Sequence, residues 1–386
     1  MFNKKKKFRY IPDEEIMLYN KSKQEPNNDV TLDSDGVSTS IEKNQKVLAD
    51  KKTPNTFTTK INNIFNKIKK FIINAIPSKN DNQKTLIIKI VSIVCAVALL
   101  VSSVYLVVYF VDLGKQDSKI TNIRNNYELD KDNYTKNDDN QFSKFDLLKS
   151  QNPDIIGWIN IAGTEVDNPV YQTDDNDYYV KNDMDKKPNS YGALFLDYRC
   201  DINPMSLSRN QIIYGHNMRY GAMFGTLDEY RDINFYRKNP IISFDSLYEK
   251  RSYKIFAIMI VNDNEDKTFG YSYSAYRTSF TSDTDFMQWI KYSQDRSLYD
   301  TPVDINADDE IITLSTCCYD FTNARFVILG RLVREGETSD VDVNKAAVNK
   351  DVLYPKEYYD KKKLPIPELT PSDNSTSSKE TTTSSK

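Results

Sequence analysis

Ile311-Ile312-Thr313-Leu314-Ser315-Thr316-Cys317-Cys318 is a strand-like run that ends in a pair of thiols. Arg325 follows eight residues past Cys317, just before a second apolar run, Phe326–Val333. Side chains at i and i+2 of a strand share a face, so Ser315 and Cys317 are expected to point one way, Thr316 and Cys318 the other. Another such run, Gln211-Ile212-Ile213-Tyr214-Gly215-His216, closes on the only histidine among 386 residues. A thiol is mostly protonated near neutral pH, so a nucleophilic cysteine needs a base or cationic surroundings to supply thiolate. Any imidazole acid–base chemistry in this chain must use His216. Taken singly, a strand-end Cys is more often a small buried hydrophobe and a lone His an ordinary structural residue. The thiol, the imidazole and the Arg325 guanidinium together favour cysteine acyl transfer.

Outward from this pair of runs, short β-rich stretches dominate residues 142–334. They are Gly157–Ile161, Asn168–Gln172, Ala193–Asp197, Gln211–Tyr214, Ile241–Asp245, Tyr253–Val261, Glu310–Cys317 and Phe326–Val333. Eight short strands with turn residues between them predict a mostly β fold, a closed or nearly closed antiparallel barrel rather than an α/β sheet. Helical spacing appears in Lys144–Ser150 and in Thr284–Ser293, where Phe286, Trp289 and Ile290 make one apolar face. The second helix precedes the Cys317 strand. About 190 residues suffice for one core-bearing domain.

Ile90–Val111 is an apolar run of 22 residues between Lys89 and Asp112, with Ser102-Ser103 inside it but no charge, and about 20 residues span a bilayer core. Residues 1–89 hold 18 Lys+Arg against 10 Asp+Glu, a net of +8, while the remainder holds 34 against 45, a net of −11. This asymmetry predicts a single transmembrane helix with its N-terminus in the cytoplasm and the β domain outside the cell. A cleaved signal peptide is not expected, since its apolar core would be shorter and nearer the N-terminus. Residues 1–89 read as a basic, mostly disordered cytoplasmic segment. Within it, Ile61, Ile64, Phe65, Ile68 and Ile72 recur at helical spacing against Lys67, Lys69 and Lys70, an amphipathic juxtamembrane helix over 61–76 suited to an anionic leaflet. Residues 112–141 read as a polar stalk, and residues 335–386 as a disordered C-terminal tail. The Lys4–Lys7 cluster follows the positive-inside bias, and no nucleic-acid partner is expected.

Four cysteines do not form a disulfide framework: Cys95 lies in the membrane run, and nothing in the spacing pairs Cys200 with Cys318. With one His and no Cys-x-x-Cys, the ligand spacings of zinc sites are absent. Asp174-Asp175-Asn176-Asp177 lacks the Gly and the closing Glu of a calcium loop and reads as a helix N-terminus. No metal and no cofactor are expected.

Thr313-Leu314-Ser315-Thr316-Cys317 with Ala324-Arg325-Phe326-Val327 resembles the active-site strand pair of sortases, the thiol transpeptidases of Gram-positive cell surfaces. Tyr214-Gly215-His216-Asn217-Met218 is similar to the histidine region of the same family, and Asn152–Ile159 and Asp175–Tyr179 resemble its class B members in particular. The similarity runs from about Phe142 to Val333. Cys318 and the long cytoplasmic segment depart from the family pattern. The resemblance implies an eight-stranded barrel with the Thr284–Ser293 helix flanking the substrate groove. It implies Cys317 as nucleophile, His216 as acid and base, Arg325 at the substrate carbonyl or oxyanion, and Ser315 as a substrate contact. It also implies a sorting-signal-bearing surface protein as substrate, with a Thr before the cut, and a peptidoglycan precursor or other cell-wall amine as acceptor. The same chemistry with a pilin lysine as acceptor, or with water, is an alternative, as is a non-catalytic surface adhesin with a fortuitous thiol.

Overall fold

A computed structural model describes residues 66–67, 69–70, 73–218 and 221–369. The expected disorder of residues 1–65, most of the 61–76 helix and the end of the tail, 370–386, lie outside the described residues. The chain divides into two compact units, Met1–Ser103 and Val104–Lys386.

In the first unit, Asn82 caps the start of helix α1 (Gln83–Asp130) by accepting from the Thr85 amide at 2.8 Å. Lys89 pairs with Asp81 at 2.9 Å. Gln83–Val111 is long and apolar enough to cross a membrane.

The second unit is built on eight strands: β1 (Ile155–Asn160), β2 (Asp167–Tyr171), β3 (Leu194–Leu196), β4 (Asn210–Tyr214), β5 (Ile241–Ser246), β6 (Lys250–Asn262), β8 (Ile311–Cys317) and β9 (Ala324–Leu332). They close into a barrel in the order β1-β2-β3-β4-β8-β9-β6-β5. Each expected strand is present. The barrel is not wholly antiparallel, however: β2 pairs parallel with β3, and β4 parallel with β8. Alternation cannot distinguish the two pairings, because side chains have the same period of two in both. The connection lengths are the better signal, since a parallel neighbour needs a long crossover, and residues 172–193 and 215–310 supply them.

Alternation along β8 sorts its side chains onto two cores. Ile312 and Leu314, with Cys318 just beyond the strand, join Phe326 and Ile328 in the main core. Ile311 joins Val327, Leu329 and the apolar face of helix α5 (Asp283–Asp295), namely Phe286, Trp289 and Ile290. Ser282 caps α5 through the Asp285 amide at 3.1 Å. Short helices α2 (Asp146–Gln151), α3 (Tyr178–Lys181) and α4 (Ile233–Lys238) fill the connections, and in the turn before α3 Asp175 accepts from the Asp177 and Tyr178 amides at 2.8 and 2.7 Å.

Both expected domain edges move outward. The C-terminal part of α1, placed by composition in a polar stalk, packs on the barrel. Tyr127 stacks on Trp158 with ring centroids 4.1 Å apart, and Arg124 bonds the Asp167 carboxylate at 2.8 Å. Beneath them Asp245 accepts from Tyr127 at 3.0 Å and pairs with Lys144, whose side chain is fully buried. The segment after 334 is likewise not a disordered tail over 335–369. Strand β10 (Ala347–Val348) pairs with β7 (Tyr299–Asp300), helix α6 (Lys356–Lys362) follows, and Ala346, Leu353 and Tyr359 are buried. Low apolar content hid it, because its anchors are a few tyrosines and backbone pairings rather than an apolar run.

Candidate active site

The β8–β9 pairing sets Cys317 opposite Arg325, and the Arg325 Nη1 donates to the Cys317 sulfur. Cys317 ends its strand half-buried, on the side of β8 away from the main core. The rest of the guanidinium is held from the end of β6. Its Nε and Nη2 donate to the two carboxylate oxygens of Asp263 at 3.0 and 2.9 Å. That bidentate contact is the leading reason the Arg325 pKa is raised, so the group is a permanent cation beside the sulfur.

His216 reaches the same end of the barrel through the parallel β4–β8 ladder. Tyr214 is level with Ser315, and the Gly215 amide continues the ladder to the Ser315 carbonyl at 3.1 Å. Two residues on, His216 is therefore in register with Cys317. Asn217 closes the arrangement, its Nδ2 donating to the Cys317 carbonyl at 2.8 Å. The His216 Nε2 lies 2.8 Å from the Val180 carbonyl, near the end of α3. A carbonyl only accepts, so Nε2 carries a proton there and Nδ1 is the nitrogen left for proton transfer. Gly192, in the left-handed region at φ 59°, permits the close approach: a Cβ there would lie 2.4 Å from the Tyr179 carbonyl oxygen and 3.1 Å from the His216 ring.

The structure thus brings Cys317, His216 and Arg325 to one end of neighbouring strands. Ser315 is on the Cys317 side of β8 but is only 2% exposed, and its hydroxyl is 3.1 Å from that of Tyr276. It lies under Tyr276 rather than at an open surface. Cys318 is buried, and burial pushes its thiol up to about 12; Cys200 is likewise raised to about 12 by burial. All four cysteines are free. Among the described residues, no group of three or more His, Cys, Asp or Glu is arranged to hold a metal ion.

A cavity of about 290 Å³ is lined by Asn217, Cys318, Tyr319 and Asp320 together with Arg231 and Lys361. A larger groove of about 800 Å³ runs between α5 and the C-terminal segment, and none of Cys317, His216 and Arg325 lines it. Asp263, Asn217, Tyr276 and Gly192 were given no role by the sequence. Asp263 is 62 residues from Arg325, and only the β6–β9 register, in which Val261 faces Arg325, shows that they meet.

A family model for the sortase domain matches residues 159–333. Sortase B of Listeria monocytogenes is 37% identical over 188 residues, 48% of this chain and 72% of that relative. Sortase B of Staphylococcus aureus is 31% identical over 193 residues, 50% of this chain and 75% of that relative. The chain belongs to the sortase family. It is class B-like, and as such a cysteine transpeptidase of cell-wall anchoring; the reading as a non-catalytic adhesin falls away. A solved Staphylococcus aureus sortase B–substrate complex overlays with a TM-score of 0.50 at 27% identity, covering 57% of this chain and 97% of that one.

Proposed function

We propose that this sortase uses Cys317 as nucleophile, His216 as general acid and base, and Arg325 as the electrostatic partner of sulfur and oxyanion. The observation that carries the reading is the Arg325 Nη1 contact with the Cys317 sulfur. A cation there favours thiolate over thiol. The thiolate attacks the carbonyl that follows the recognised segment of a sorting signal, forming a C–S bond and an oxyanion within reach of the guanidinium. Collapse of the oxyanion breaks the C–N bond, and the departing amine takes a proton from His216. An incoming amine then attacks the thioester, returns a proton to His216 and releases the thiolate, so protons and electrons balance over the two half-reactions.

The acceptor is a cell-wall amine, such as that of a peptidoglycan precursor, and the donors are surface proteins bearing a sorting signal with a Thr before the cut. Ser315 contributes through its contact with Tyr276, which forms part of the wall beside the nucleophile. The apolar helix anchors the protein in the membrane, and the basic flank before it favours a cytoplasmic N-terminus with the barrel outside. The test is a quenched peptide with Thr before the scissile bond, incubated with the full chain in detergent micelles. Cys317→Ala should abolish cleavage and the thioacyl adduct seen by mass spectrometry. Cleavage surviving in that variant would overturn the reading.

A further inference from the structure

A guanidinium offers five N–H donors in one rigid plane. In Arg325 the edge formed by Nε and Nη2 is taken by Asp263, at 3.0 and 2.9 Å, and Nη1 is the nitrogen that reaches Cys317. The two contacts are geometrically coupled, because fixing one edge of the fork fixes where the remaining nitrogen points. Asp263 is itself fixed. It follows Asn262, the last residue of β6, and its amide donates to the Asn323 carbonyl at 3.0 Å, one residue before β9 begins. The backbone that carries the carboxylate is thus tied to the chain just before Arg325. The Arg325 side chain, by contrast, is 28% exposed, with solvent open to it if the carboxylate is removed.

We propose that Asp263 is a positioning residue of the transpeptidation: it turns Nη1 of Arg325 toward the sulfur and the developing oxyanion. The inference rests on the catalytic reading of Cys317 and Arg325. Among the described residues, the ionisable groups shown against the sulfur or its guanidinium partner are Arg325 from β9, Asp263 from the end of β6 and Tyr276 from the segment before α5, with His216 beyond β4. Asp263 is the carboxylate among them. At 43% exposure its ion pair with Arg325 adds little to fold stability, because solvent screens it. A catalytic defect would therefore separate from a folding defect.

The experiment compares Asp263→Asn, Asp263→Ala and Asp263→Glu with the parent chain in detergent micelles. Three quantities are read: thermal midpoint, kcat and KM on the quenched Thr-containing peptide, and the pH dependence of iodoacetamide alkylation at Cys317, mapped by peptide mass. The expected result is a kcat lowered about 10- to 100-fold in the Asn and Ala variants, the scale of a misplaced catalytic group, with KM changed by less than about threefold. The alkylation midpoint should move to higher pH in both, because a guanidinium freed from Asp263 no longer holds Nη1 at the sulfur to favour thiolate. Asp263→Glu should recover part of the lost kcat, and all three should melt close to the parent. A kcat within about twofold of the parent in Asn and Ala variants would overturn the proposal. An unmoved alkylation profile would overturn it as well, whatever kcat does. Cys317→Ala is run alongside: residual cleavage there would remove the catalytic reading itself, whereas a dead Cys317→Ala beside a fully active Asp263→Asn would remove only this inference.

Discussion

Tyr359→Ala is the most direct test of whether the C-terminal segment belongs to the catalytic unit. Tyr359 lies in α6 and is 6% exposed, although it is outside the matched sortase domain. Its hydroxyl donates to the Val352 carbonyl at 3.4 Å and accepts from the Tyr354 amide at 3.2 Å, and its ring meets that of Tyr354 edge-on at 6.2 Å. Replacing a buried large aromatic by Ala typically costs about 3–5 kcal/mol. For a domain of this size each kcal/mol moves the midpoint by about 2–4 °C, so a fully coupled effect is a fall of roughly 6–20 °C. The segment also touches both loops that flank Cys317 and Arg325. The Lys356 amide donates to the Thr268 hydroxyl at 2.8 Å, five residues past Asp263, and Lys361 Nζ donates to the Tyr319 carbonyl at 3.0 Å, two residues past Cys317. Loosening the segment should therefore lower kcat/KM as well.

The assay is differential scanning fluorimetry and limited proteolysis of the full chain in detergent, followed by peptide cleavage. If the segment melts as its own unit, new cleavage sites should open between Arg334 and Tyr354 at temperatures where the barrel is intact. A midpoint within about 2 °C of the parent and no new cleavage would refute the reasoning. The segment would then contribute no stability, and the functional domain would end near residue 334 as composition alone suggests.

Cys318→Ala should keep most of the cleavage activity that Cys317→Ala loses. With its thiol held near 12 by burial, Cys318 has only about one part in a thousand thiolate at pH 9, so iodoacetamide should label Cys317 and leave Cys318 untouched. Arg325→Lys should be nearly as damaging as Arg325→Ala, because an ammonium cannot hold Asp263 by two donors and reach the sulfur with a third; a Lys variant with near-parental kcat/KM would show that charge alone matters. Gly192→Ala should lower kcat more than about tenfold by pushing on the His216 ring and on the Tyr179 carbonyl, and parental kinetics would show that the left-handed turn is not needed. Protease added to intact cells should remove the barrel and spare a tag at Met1, and digestion of the tag instead would reverse the proposed topology.

The strands were legible because each is a short apolar run with a clear period, and the placement of Cys317 opposite Arg325 follows from the hairpin they share. His216 was legible only as a residue type: its approach to Cys317 depends on a parallel ladder that alternation cannot signal. Asp263 was not legible at all, since the β6–β9 register that joins it to Arg325 spans 62 residues. Ser315 shows the limit of face arguments. Alternation places it on the side of Cys317, but the ring that covers it comes from Tyr276, on a segment with no periodic pattern.

The domain edges fail for a different reason, and the failure bears on function. Composition locates a core by apolar density, yet the docking of α1 on β1 and β5 rests on a fully buried ammonium, Lys144, paired with Asp245 and roofed by Tyr127 and Tyr134. Removing Asp245 alone would strand that charge, a loss of about 3–5 kcal/mol, whereas replacing the pair by matched apolar side chains would be far milder. Such a joint is specific rather than adhesive: it accepts one register of helix on barrel and penalises the others. The helix arriving at this joint is the same element whose earlier residues, Gln83–Val111, are apolar enough to span a membrane. The residues that composition assigns to a stalk are those that dock on the barrel, through Tyr127 on Trp158 and Arg124 on Asp167.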